Sequence, residues 1–74
     1  MELDELEWED VESSNILAIA FDAGSERICV RFKDESAWAY DDCSKELFER
    51  FRLAPSVGKF FHANIKNSHA SERL

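Results

Sequence analysis

From Asn15 to Tyr40 the chain reads NILAIAFDAGSERICVRFKDESAWAY, and this stretch decides the fold class. Apolar residues recur in it with a period of two, the spacing that places side chains on one face of a β-strand. Ile28, Val30 and Phe32 point one way and Cys29, Arg31 and Lys33 the other, the pattern of a half-buried strand. Asn15 to Phe21 is apolar on both faces, with Leu17, Ile19 and Phe21 as the bulkier set, expected to face the core. Ala37 to Tyr40 forms a third strand, with Trp38 and Tyr40 on one face. The links are short. Asp22-Ala23-Gly24-Ser25 offers Gly24 for a positive φ, and Asp34-Glu35-Ser36 makes the next turn, so successive strands are antiparallel neighbours.

Beyond Asp41-Asp42-Cys43 the period changes to near 3.6. Ser44 is placed to cap a helix that buries Leu47, Phe48 and Phe51. Pro55 biases Ala54 away from helical geometry and ends it. Ser56 caps a second helix, whose apolar stripe is Val57, Phe60, Phe61 and Ile65. The expected architecture is α+β: a three-stranded antiparallel meander followed by two helices packed on one face. Residues 1–12 are expected as an acidic, flexible tail that Trp8 can dock, 13–67 as the domain and 68–74 as a frayed end.

At 74 residues the chain is one domain. A chain of this size buries only about 60% of the surface its unfolded form exposes, so core residues are scarce. No apolar run approaches the roughly 20 residues of a membrane span. The acidic start does not fit a secretory leader, so a cytoplasmic location is expected. Cys29 and Cys43 match no zinc spacing, and His62 and His69 lie on the other half of the chain, so neither a metal nor another cofactor is expected. Both cysteines are expected as free thiols.

Charge is the most informative part of the composition. The net charge is −7. Glu2, Asp4, Glu5, Glu7, Glu9, Asp10 and Glu12 account for all of it, and residues 13–74 are neutral in sum. From Arg50 onward the sign inverts, with Arg50, Arg52, Lys59, Lys66 and Arg73 against Glu72 alone. Such asymmetry points to a charged partner, to association of tail with body, or simply to a solubilising tail.

Val11, Ser13, Ser14 and Ile16, the run Ile19-Ala20-Phe21-Asp22, then Val30 and Phe32, then Trp38-Ala39-Tyr40, and finally Ala54, Ser56, Gly58, Phe60, Phe61, Ile65 and Lys66 come in an order that resembles the KTSC family. That family is a short domain named for its place at the C-terminus of some lysyl-tRNA synthetases, and it also occurs as stand-alone bacterial and phage proteins. The resemblance covers about three quarters of the chain. Trp38 stands where the family's central motif has its first tyrosine, Phe21 stands for another tyrosine, and Cys43 lies near the place of a proline before the first helix. The first ten residues lie outside it. The resemblance brings no catalytic activity with it; the synthetase context implies RNA as a partner.

Two constellations can carry binding. Ser56 as N-cap, Gly58 without a side chain and Lys59 as a cation suit a phosphate at the second helix start, with Arg52 and Lys66 as further cations. The plainer reading has Gly58 permitting close packing and Lys59 solvated. Trp38 and Tyr40 are stacking platforms if their sheet face is open and core if it is covered. No serine, histidine or acid falls into a catalytic set, and no small-molecule substrate is evident. The expected function is a non-enzymatic binding module contacting RNA or phosphate-bearing ligands through its basic C-terminal half. The alternative is a phage-type regulator whose acidic residues engage a basic, nucleic-acid-binding surface of a host protein.

Overall fold

The computed structural model describes residues 6–74. Glu2, Asp4 and Glu5 of the acidic tail lie outside the described residues. The elements run β1 (Glu9–Asp10), β2 (Ile16–Asp22), β3 (Arg27–Phe32), β4 (Ala37–Tyr40), α1 (Lys45–Arg52), α2 (Val57–Asn64) and β5 (Ser71–Arg73). The strands form one antiparallel sheet in the order β1-β2-β3-β4-β5. The α+β class and the central meander agree with the periodicity; the strand count does not.

The two added strands lack the signal that marks the other three. β5 is Ser-Glu-Arg and exposed throughout. Polar contacts hold it instead: Glu72 accepts from Arg27 at 2.7 Å, and the same guanidinium reaches Asp41 at 2.6 Å. The backbone N–H of Asp41 donates to the Ala70 carbonyl, and that of Leu74 to the Ala37 carbonyl. His69 Nδ1 donates to the Asp41 carbonyl at 2.8 Å. The segment expected to fray after residue 67 is thus largely a sheet edge. At the other edge Glu9 and Asp10 pair with Ile19 and Ala18, so the sheet begins inside the acidic segment rather than at Asn15.

In β2 the pairing shifts between Ile16 and Ala18. This bulge turns Leu17 outward, 44% exposed, while Ile16 is fully buried. The expected inward set of Leu17, Ile19 and Phe21 is therefore Ile16, Ile19 and Phe21. The β2–β3 turn also departs from expectation. Asp22 accepts from Gly24 N–H and Ser25 Oγ, and the positive φ falls at Glu26 (54°), not Gly24. Glu35 adopts φ 74° in the β3–β4 turn.

Both helices start where their serines dictate: Ser44 Oγ accepts from Leu47 N–H at 3.0 Å, and Ser56 Oγ from Lys59 N–H at 3.3 Å. They cover one face of the sheet, burying Phe51, Val57, Phe61 and Ile65 against Ile16, Ile19, Ile28, Val30 and Tyr40. Phe60 is half-buried at the helix–helix seam, stacked on Phe51 with ring centroids 5.7 Å apart. The sequence left open which face of the sheet is exposed; Cys29 points to the face away from the helices. The small residues Ala20, Cys29 and Ala39 of that face are completely buried, with Leu6 and Trp8 packed on them.

Phe61→Ala should destabilise the domain by about 3–5 kcal/mol, a large part of the margin of so small a protein, as read by chemical denaturation. Glu35→Asn should do the reverse. Asparagine tolerates the left-handed conformation that costs glutamate about 1 kcal/mol, so the midpoint of thermal unfolding should rise by about 4–8 °C.

Candidate functional site

Val57, Phe61 and Ile65 occupy the inward stripe of α2 and its C-cap. The same helical spacing sends Lys59 and His62 outward along one side, at i and i+3, and Lys66 follows just beyond the Ile65 C-cap; all three are exposed. Among the described residues the ion pairs are made by Arg27 and Arg52; Lys59 and Lys66 make none. Two adjoining recesses open along this stripe, with Asn15 and His62 lining both.

The first recess is a cleft of about 350 Å³ between α2 and the β4–β5 edge. Phe32, Trp38, Tyr40 and Phe61 line its aromatic side. Phe61 meets Phe32 and Tyr40 edge-on, with centroids 5.6 and 5.3 Å away. Trp38 and Phe32 are half-buried, whereas Tyr40 and Phe61 are almost wholly covered. The polar rim comprises Asn15, His62, Lys66, Asn67 and Ser71. Ser71 comes from β5, opposite Tyr40. No acidic residue lines this cleft, in a chain whose net charge is −7.

The second recess, about 270 Å³, lies at the start of α2 and brings Ser56, Gly58 and Lys59 beside residues 12–15. Here the packing role of Gly58 is visible. A Cβ on it would stand 3.3 Å from Ser13 Oγ and 3.7 Å from Asn15 Oδ1. Ser13 Oγ accepts the N–H groups of Asn15 and Ile16 and so shapes that turn. The chain's own turn lies against Gly58 at one wall of the recess. Glu12 also lines this recess and opposes the charge of Lys59.

The seven residues expected to bind ligand therefore separate. Trp38, Tyr40 and Lys66 meet at the cleft, while Ser56, Gly58 and Lys59 meet at the neighbouring recess. Arg52 goes elsewhere: it donates to Glu9 at 2.9 Å and to Glu49 at 3.3 Å. Trp38 and Tyr40 belong to the helix-covered face, so they are core residues whose margin reaches the cleft. Of the acidic alternatives, Glu7, Asp10 and Glu12 are exposed and Glu9 is held by Arg52. Asn15, His62, Asn67 and Ser71 were not expected at a site. His62 was readable from its helical spacing between Lys59 and Lys66; Ser71 depends on a strand that apolar pattern does not announce.

Cysteine chemistry has no support in the geometry. Burial pushes the Cys29 thiol up to about 11 from its ordinary 9.0, with the nearby Asp22 charge adding to the shift. Burial raises Cys43 and Tyr40 as well. A raised thiol is a poor nucleophile at neutral pH. Among the described residues no group of histidines, cysteines and acids is arranged to hold a metal ion, and no helix is long and apolar enough to cross a membrane.

The raised thiol sets a pH dependence. The unfolded chain ionises Cys29 near its ordinary 9.0 and the folded chain near 11, so between them the folded state binds more protons. This contribution is intact below pH 9 and is lost as pH rises towards 11, by about 2–3 kcal/mol. Denaturation at a series of pH values should show that fall, and Cys29→Ala should reduce it, leaving the part due to the raised Cys43 and Tyr40.

The match to a protein-family model described as the KTSC domain spans residues 12–69. A KTSC domain protein from Yersinia pestis, known from a crystal structure, superposes with a TM-score of 0.88 at 25% sequence identity, covering 93% of this chain and 97% of that one. The chain matches none of the curated proteins compared with it.

Proposed function

This chain belongs to the KTSC domain family, and as a member of it we propose that it is a non-enzymatic binding module for RNA, acting in the cytoplasm of a bacterium or of a phage-infected cell. One observation carries the reading: His62 on α2 and Lys66 just beyond its C-cap border an acid-free cleft with aromatic walls, and the exposed Lys59 stands one turn before His62 at the adjoining recess. Cations spaced along a groove suit a phosphate backbone, and aromatic margins suit bases. Arg52 is not part of this surface in the proposal, because Glu9 and Glu49 neutralise it. The resemblance to the synthetase-linked domain supports the same partner.

Lys59→Glu with Lys66→Glu should lower RNA affinity at least about tenfold and leave the melting temperature nearly unchanged, since exposed substitutions away from structural features cost little. With so few cations the salt dependence should be shallow, a log–log slope of about −1 to −2. Affinity unmoved by the double charge reversal would discard this surface.

The exposed Glu7, Asp10 and Glu12 support a second reading, in which the acidic segment engages a basic surface of a host protein. Removing residues 1–12 would also remove Trp8 and β1, so substitution separates the two readings better than truncation. Glu7→Gln, Asp10→Asn and Glu12→Gln together should raise affinity for RNA under the first reading and slow association with a basic protein at low salt under the second. The Debye length of about 8 Å at physiological ionic strength calls for measurement at low and high salt.

A further inference from the structure

We infer that the cleft between α2 and the β4–β5 edge is a subsite for one unstacked base of single-stranded RNA. This rests on the proposed RNA-binding function and names the form of RNA that the site takes. The cleft is about 350 Å³, at the lower end of the range of roughly 300–1,000 Å³ that holds small ligands, so it admits one flat group rather than a paired helix. Trp38 and Phe32 are the half-buried rings at its wall. Tyr40 and Phe61, almost wholly buried and edge-on to one another, complete the aromatic wall. A planar base gains stacking against such a surface whatever its identity.

The rim supplies the complementary chemistry. Asn15 and Asn67 bring amides, and Ser71 a hydroxyl, to the edge where a base presents its hydrogen-bonding groups. Lys66 and His62 bring cationic or proton-donating groups for the flanking phosphates. The acidity of the chain lies elsewhere: Glu12 at the neighbouring recess, Glu9 on Arg52, and Glu72 on Arg27. An anionic strand therefore meets no carboxylate lining this cleft; its charge favours it over an apolar or basic peptide, and a flat base that stacks on the Trp38 and Phe32 wall favours it over an acidic one. In a duplex the bases are stacked and paired, and a base must leave the stack before it can enter.

The test uses the full chain and RNA oligonucleotides of about eight nucleotides, single-stranded and as the matching duplex, followed by fluorescence anisotropy. The single strand should bind at least about tenfold more tightly than the duplex, and Trp38→Leu should remove most of that difference. Because Trp38 also contacts the core, the wild-type protein gives a second readout: the Trp38 indole N–H resonance should shift on adding the single strand and stay in place on adding inorganic phosphate. Equal binding of both RNA forms, or a single strand that binds without moving the Trp38 resonance, overturns the base subsite and leaves RNA binding standing. Binding of neither RNA form overturns both.

Discussion

Phe61 is the constraint on which the other parts of this structure depend. Its ring meets Phe32, Tyr40, Phe51 and His62, with centroids between 5.3 and 6.4 Å away, so one side chain joins the sheet to both helices. A 74-residue domain has little core to distribute, and concentrating aromatic area at one point is how it holds the sheet and the helix layer together. The same placement fixes the rotation of α2. With Phe61 turned inward, Lys59, His62 and Lys66 have one direction left to point, and the surface proposed for RNA follows from a packing decision.

The second sheet face shows the same economy. Ala20, Cys29 and Ala39 are small enough to let the N-terminal segment lie close, and Leu6 and Trp8 complete their burial. Trp8 carries the Arg31 guanidinium 4.5 Å from its ring centroid, which turns a charge on the outer face of β3 into part of the cover. The acidic segment is thus more than a reservoir of charge. Through Trp8, β1 and the Glu9–Arg52 pair, part of it belongs to the fold.

That double role shapes the electrostatics of the proposed site. Arg27 and Arg52 are consumed within the molecule by Asp41, Glu72, Glu9 and Glu49. Lys59 and Lys66 are left outside these pairs, Lys66 at the cleft whose margins combine aromatic rings with a cation and no carboxylate, Lys59 at the adjoining recess. Exposed ion pairs contribute little stability individually. Their consequence here is positional, in deciding which cations stay available to a partner.

Alternation in β3 and β4, the change of period at Ser44, the two serine caps and the Val57–Phe61–Ile65 stripe are local properties, and the amino-acid sequence determined them because strand and helix periodicity act within a few residues. It also determined the order of motifs that resembles the KTSC family. Tertiary structure alone decided the rest. Leu17 and Ile16 exchanged faces because a bulge is settled by pairing with β3, which no alternation within β2 encodes. Ser71–Arg73 became a strand through partners far away in the chain, Arg27 and Asp41, and without apolar residues to signal it. Trp38 and Tyr40 were readable as either platform or core; the helices that cover their face made them core with one margin at a cleft. Gly58 carried the features of an anion site, and tertiary structure brought the Ser13–Asn15 turn against it, at the wall of the recess that Gly58 also lines. In each case the deciding contact spans many residues, and a contact of that kind exists only once the chain has closed on itself.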